Sequence, residues 1–186
     1  MSIMTVREKA QQLGTFRWLE VYLMETLARW VPTTPEMEVK VLFGRHIWDL
    51  AQHADALGKR AFELRAQLHY TVAPPAPYRS LMEELADLEN TAERIHVFYD
   101  GVLPRLAARY RAYLDHTDDL LDEPSVRIVQ RILEDGVRMR RESAEVLSEF
   151  PDIRLTDSTL PASWARREAE AAGIVAHGAD GAVVRG

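Results

Sequence analysis

The chain contains no cysteine. A disulfide framework, a thiolate nucleophile and a Cys-ligated zinc or iron–sulfur centre are therefore excluded, and any metal must be held by His, Asp or Glu. Long apolar runs are missing too: no stretch approaches the roughly 20 residues that span a bilayer. The segment Met1 to Glu8 has no signal-peptide core, so the expected location is the cytoplasm, with no membrane partner. Lysine occurs only as Lys9, Lys40 and Lys59, a scarcity that codon composition explains as readily as selection. Positive charge is in deficit: 23 Lys and Arg against 29 Asp and Glu give a net charge of -6. Nothing in that balance attracts phosphate, and no nucleic-acid partner is expected. A Gly-rich phosphate loop, strand alternation and a Gly-x-Ser-x-Gly elbow are all absent.

What is present is helical periodicity. The 186 residues, 47% of them hydrophobic, suffice for one sizeable core. A first helix is expected over residues 5–30, with Leu13, Phe16, Leu19, Leu23, Leu27 and Trp30 on one face and Glu20 inside that stripe. Trp18, Val21 and Tyr22 form a second apolar strip, suited to covering by a homodimer partner. Thr34 and Pro35 supply a cap and a first-turn proline for a second helix reaching about Tyr70. His46 and His53 fall in its apolar stripe and Asp49 at its edge. Thr71 to Tyr78, with three prolines, cannot continue a helix and becomes the long connection. Ser80 to Glu83 reads as a capping box opening a third helix to about His116, kinked at Gly101 and Pro104. Asp122-Glu123-Pro124 opens a fourth helix that ends near Phe150. Residues 152–186 form an extended tail expected to pack on the bundle or a partner subunit, with Trp164 as anchor and Ile153, Ile174, Val175, Val183 and Val184 contributing.

Two helical hairpins joined by a long crossover resemble the ferritin-like superfamily over residues 5–150. The resemblance implies an all-α, ferritin-like four-helix bundle (residues 1–151) followed by the tail. It also implies glutamates from two helices and Glu-x-x-His from the other two, holding two iron or manganese ions. Glu20 matches the first glutamate, and Glu93-Arg94-Ile95-His96 matches Glu-x-x-His outright. The second helix departs from the pattern, since His46, Asp49 and His53 make His-x2-Asp-x3-His. On the fourth helix only Asp135 lies at the stripe's edge. The candidate metal set is thus Glu20, His46, Asp49, His53, Glu89, Glu93, His96 and Asp135, and no catalytic residue is assigned. The expected function is a non-haem iron or manganese protein performing oxidase or oxygenase chemistry on a small molecule. The alternative is a metal-free bundle whose buried polar residues are salt-bridged, with Arg140 as the cation beside Glu20 or Glu89, serving as a binding or structural module.

Overall fold

The computed structural model describes residues 4–171, and its regular structure is entirely helical, with no strand among those residues. No helix among them is long and apolar enough to cross a membrane.

Helix α1 (Val6–Trp30) opens with a capping box: the Thr5 hydroxyl accepts from the Glu8 amide while the Glu8 carboxylate accepts from the Thr5 amide. Its stripe from Leu13 to Trp30 is buried as expected, and so is Glu20. Pro32 limits the continuation to a single tight turn, Val31–Thr33. The Thr34 hydroxyl donates to the Trp30 carbonyl at 2.9 Å, so Thr34 closes α1 instead of capping the next helix.

Helix α2 (Met37–Glu63) therefore starts after Glu36, and it ends well short of Tyr70. Its stop is a Schellman turn: the Ala66 amide bonds to the Ala61 carbonyl at 3.0 Å and the Arg65 amide to the Phe62 carbonyl at 2.9 Å. Arg65 occupies the left-handed position at φ 68°, a place usually given to glycine.

Helix α3 (Ala76–Ala86) begins inside the Pro-rich stretch, so Ser80 to Glu83 lie within a helix and cap nothing. The expected single third helix is divided at residues 87–90. The Asn90 side chain restarts the chain by accepting from the amides of Ala92 and Glu93 at 2.9 and 3.2 Å. Helix α4 (Thr91–His96), a π turn (Val97–Val102) and helix α5 (Leu103–Asp115) then follow without a gap. The irregularity falls where Gly101 and Pro104 announced it, but it is a widened turn: the Leu103 amide bonds to the Phe98 carbonyl, five residues back. Helix α6 (Glu123–Glu149) matches the expected fourth helix.

Side-chain pairs give the relative directions. Trp30 packs on Phe43 while Glu20 meets His53, so α1 and α2 are antiparallel. His46 meets Glu142 and Arg60 meets Asp122, so α2 and α6 are antiparallel as well. Trp30 on Phe98 and Phe16 on Tyr113 set α1 against the stretch from α4 to α5 in the same sense. Trp30, Tyr99, Tyr110 and Tyr113 are buried, whereas Trp48 on α2 is 67% exposed.

Helix α7 (Leu160–Glu170) lies against the π turn, with Trp164 buried as the anchor. The approach is close at Gly101, where an added Cβ would stand 3.0 Å from the Pro161 carbonyl oxygen, so that a side chain there would require α7 to give way by a few tenths of an ångström. Glu168 is fully buried and accepts from Arg109 at 2.5 Å, Tyr78 at 3.0 Å and Arg105 at 3.3 Å. Ile153 is buried too, while Ile174, Val175, Val183 and Val184 lie outside the described residues.

Two outcomes are expected. Arg65→Gly relieves the left-handed residue and should raise stability by up to about 1 kcal/mol in chemical denaturation. Glu168→Ala leaves the Arg109 guanidinium and the Tyr78 hydroxyl without their shared acceptor, and should cost about 3 kcal/mol. A change below 1 kcal/mol would show that α7 is not fastened by this carboxylate.

Candidate functional site

Glu20 stands in the apolar stripe of α1 with 2% of its surface exposed, where a bare carboxylate is costly. Both its oxygens are engaged. One accepts from the Tyr110 hydroxyl of α5, and the other lies 3.1 Å from His53 Nδ1 on α2. The second ring nitrogen, Nε2, reaches Asp135 of α6 at 3.0 Å. About two turns along α2, His46 repeats the arrangement: Nδ1 is 2.6 Å from the Tyr99 hydroxyl and Nε2 is 3.1 Å from Glu142.

Arg138 joins the two halves. Its guanidinium lies 2.8 Å from Asp135, 3.0 Å from Asp49 and 3.4 Å from Glu142. The seam is a complementary ladder, since His46, Asp49 and His53 on α2 face Glu142, Arg138 and Asp135 on α6 at the same spacing read in reverse. Burial alone would lower the pKa of His53, but the flanking Glu20 and Asp135 carboxylates outweigh it and raise the value above 6.5. At His46 burial wins, and the value falls below 6.5 despite Glu142. Burial would lift Asp135 and Glu142, yet their bonds to Arg138 and the histidines hold both below the ordinary carboxylate range. Tyr99 and Tyr110 are pushed well up, by burial first and then by the facing carboxylates.

The remaining candidates do not join this group. Glu89 is exposed and its charge acts on Arg94. Glu93 is half-buried, and its amide is held by Asn90. His96, expected to share a metal site with Glu20, is half-buried and pairs with Asp100 at 3.1 Å. Arg140, expected to neutralise Glu20 or Glu89, is 49% exposed and reaches Asp100 at 3.5 Å. The cation of the seam is Arg138, which stands with Glu142 in a stretch of α6 where Arg and Glu alternate. The reversed spacing along α2 and α6 was the signal that could have found both.

Beside Glu20 and His53 a cavity of about 110 Å³ opens between α5 and α6. Its walls are apolar, formed by residues such as Leu103, Leu106, Ala107, Ile132 and Met139, and Tyr110 completes the polar end. Gly136 also lines it, and a Cβ there would meet nothing within 4 Å. Close packing does not require this glycine; it leaves volume open at some cost to helix stability. His53 also borders a second recess between α2 and α6. A proton accepted at Asp135, 19% exposed, has a continuous hydrogen-bonded route through the His53 ring to Glu20 at the cavity.

A metal fits this arrangement poorly. Histidine binds an ion through one ring nitrogen, so ligands sharing that ion must gather on that side of the ring. Here Glu20 and Asp135 flank opposite nitrogens of His53, and Tyr99 and Glu142 do the same at His46. No three His, Asp or Glu residues among those described are placed to hold an ion together.

The two histidines give opposite pH dependences. His53, with a raised folded pKa, contributes stability that is complete below its unfolded value of about 6.5 and is lost as pH climbs through the folded value. His46, with a lowered one, is lost as a stabilising group when pH falls below 6.5. Denaturation measured across pH 5–9 should therefore show stability declining above about 6.5, and His53→Gln should remove that alkaline decline. An unchanged slope in the variant would mean that His53 is not charged in the fold.

No protein-family model, curated protein or solved structure matches the chain, so its function must be read from this geometry.

Proposed function

We propose that the chain is a ferritin-like four-helix bundle whose core is charge-balanced without metal and whose cavity between α5 and α6 binds a small molecule. In this reading α1, α2, the α4–α5 stretch and α6 are the four bundle helices, and residues 64–90, including α3, make the crossover. The antiparallel pairings described above support it. The observation that carries the binding function is an apolar cavity, held open by Gly136 and ending on Glu20, His53 and Tyr110. Iron or manganese oxidase chemistry is disfavoured because the donors stand in series along the seam and do not converge. Asp49, Asp135 and Glu142 already have Arg138 as their cation, and Glu20 has His53.

Two measurements test this. Elemental analysis of protein purified without chelator should find no stoichiometric iron, manganese or zinc; an equivalent of metal lost in His53→Gln would overturn the metal-free core. Titration with butan-1-ol and pentan-1-ol, followed by methyl NMR, should give saturable shifts at Leu50, Leu106, Ile132 and Met139. Gly136→Leu should abolish those shifts while remaining folded, because the new side chain grows into open space. Their absence in the unaltered protein would dispose of the pocket.

A further inference from the structure

We infer that the cavity takes a small apolar carboxylate, a short alkanoate of about four to six carbons, with its chain inside and its carboxylate on Arg111. The inference rests on the pocket reading above and adds the charge and polarity of the ligand.

The cavity has two kinds of polar neighbour, and they differ in whether they are free. At the inner end both Glu20 oxygens are occupied by Tyr110 and His53, and the far nitrogen of His53 is occupied by Asp135. An ammonium group entering there would have to displace a buried hydrogen bond, and each such loss leaves an unsatisfied polar atom. The inner end is therefore closed to a ligand cation despite its carboxylate.

At the rim the situation is reversed. Arg111 of α5 lines the cavity, is exposed, and makes no ion pair or hydrogen bond among the described residues. Arg140 of α6 also lines it, and its side chain's one partner among the described residues, Asp100, is 3.5 Å away. The other arginines of α6 do not line this cavity: Arg127 pairs with Glu123 and Arg138 with three carboxylates, while Arg131 and Arg141 stand 3.7 and 3.6 Å from Asp135 and Glu145. In a chain of net charge -6, an apolar cavity rimmed by one free guanidinium and one loosely held one is a local site for an anion. A guanidinium fork matches a carboxylate in two parallel hydrogen bonds.

Size narrows the class. The space of about 110 Å³ is below the ~150 Å³ of an engineered apolar cavity that admits benzene. A short unbranched chain fits where a long acyl chain does not. Gly136, midway along the α6 wall, faces the body of such a chain and not its charged head.

The test compares three probes of equal length, hexanoate, hexan-1-ol and hexan-1-amine, by calorimetry and methyl NMR on the full chain at low salt. Hexanoate is expected to bind at least ten-fold more tightly than the other two, and 0.5 M NaCl should weaken it alone. Arg111→Gln should remove at least ten-fold of the hexanoate affinity and Arg140→Gln about two- to three-fold, both leaving hexan-1-ol unchanged. Each of these residues is exposed, so the variants should fold; Gly136→Leu should abolish binding of all three. Equal affinity for hexanoate and hexan-1-ol, or retention of hexanoate binding in Arg111→Gln, would leave the pocket standing and overturn its anionic ligand. A preference for hexan-1-amine would do the same. Failure of all three to shift the lining methyl groups would remove the pocket reading and this inference together.

Discussion

Four carboxylates enter the interior or its edge along one seam, and the rest of the site depends on how they are compensated. Arg138 is the centre of that compensation. It meets Asp49, Asp135 and Glu142 from a position where each stays half-buried, and it frees His53 to serve Glu20. A buried ion pair of this kind adds little net stability over apolar packing, but loss of one partner leaves a charge stranded at far greater cost. The seam therefore fixes which faces of α2 and α6 meet. Sliding one helix by a turn would set Asp49 against a carboxylate.

A second polar centre does similar work at one end of the molecule. Asp122 is buried and bonds to Lys9 of α1, Arg60 of α2, Tyr113 of α5 and Ser125 of α6. With Glu168 clamping α7, three acidic residues thus stand inside the protein, each held by groups from several helices. A tyrosine hydroxyl reaches each of the three, Tyr113 at Asp122, Tyr78 at Glu168 and Tyr110 at Glu20, and arginine joins it at the first two, where its planar fork suits multiple acceptors better than an ammonium does.

The apolar stripes of α1, α2 and α6 were legible because long regular helices keep one phase, so the burial of Glu20, His46 and His53 followed from spacing alone. The errors fell where phase is interrupted. Glu93 and His96 were assigned from the Glu-x-x-His pattern, and Glu89 with them, on a helix taken as continuous, yet the chain breaks at residues 87–90 and widens at Val97–Val102. The apolar face itself survives both interruptions, since Leu81, Leu85, Ala92, Ile95, Tyr99, Leu106, Tyr110 and Tyr113 are all buried, while the three polar candidates lie beside it and not within it. The end of α2 was missed because its Schellman turn puts Arg65 where a glycine would have signalled the stop. Arg138 and Glu142 were hidden by composition, since an alternation of Arg and Glu reads as a wet surface until the partner helix is known.

The π turn sets more than local shape. Adding one residue to a helical turn rotates everything beyond it by about 100°, so Val97–Val102 acts as an angular gauge between the two ends of the α4–α5 rod. Tyr99, within the turn, addresses His46, while Tyr110, beyond it, addresses Glu20. A regular helix with one residue fewer would keep the same side chains in the same order and aim the second half elsewhere, taking Arg111 from the rim of the cavity. For this chain, a count of residues in one stretch of backbone governs the pairing of tyrosines and carboxylates as firmly as the identity of those residues.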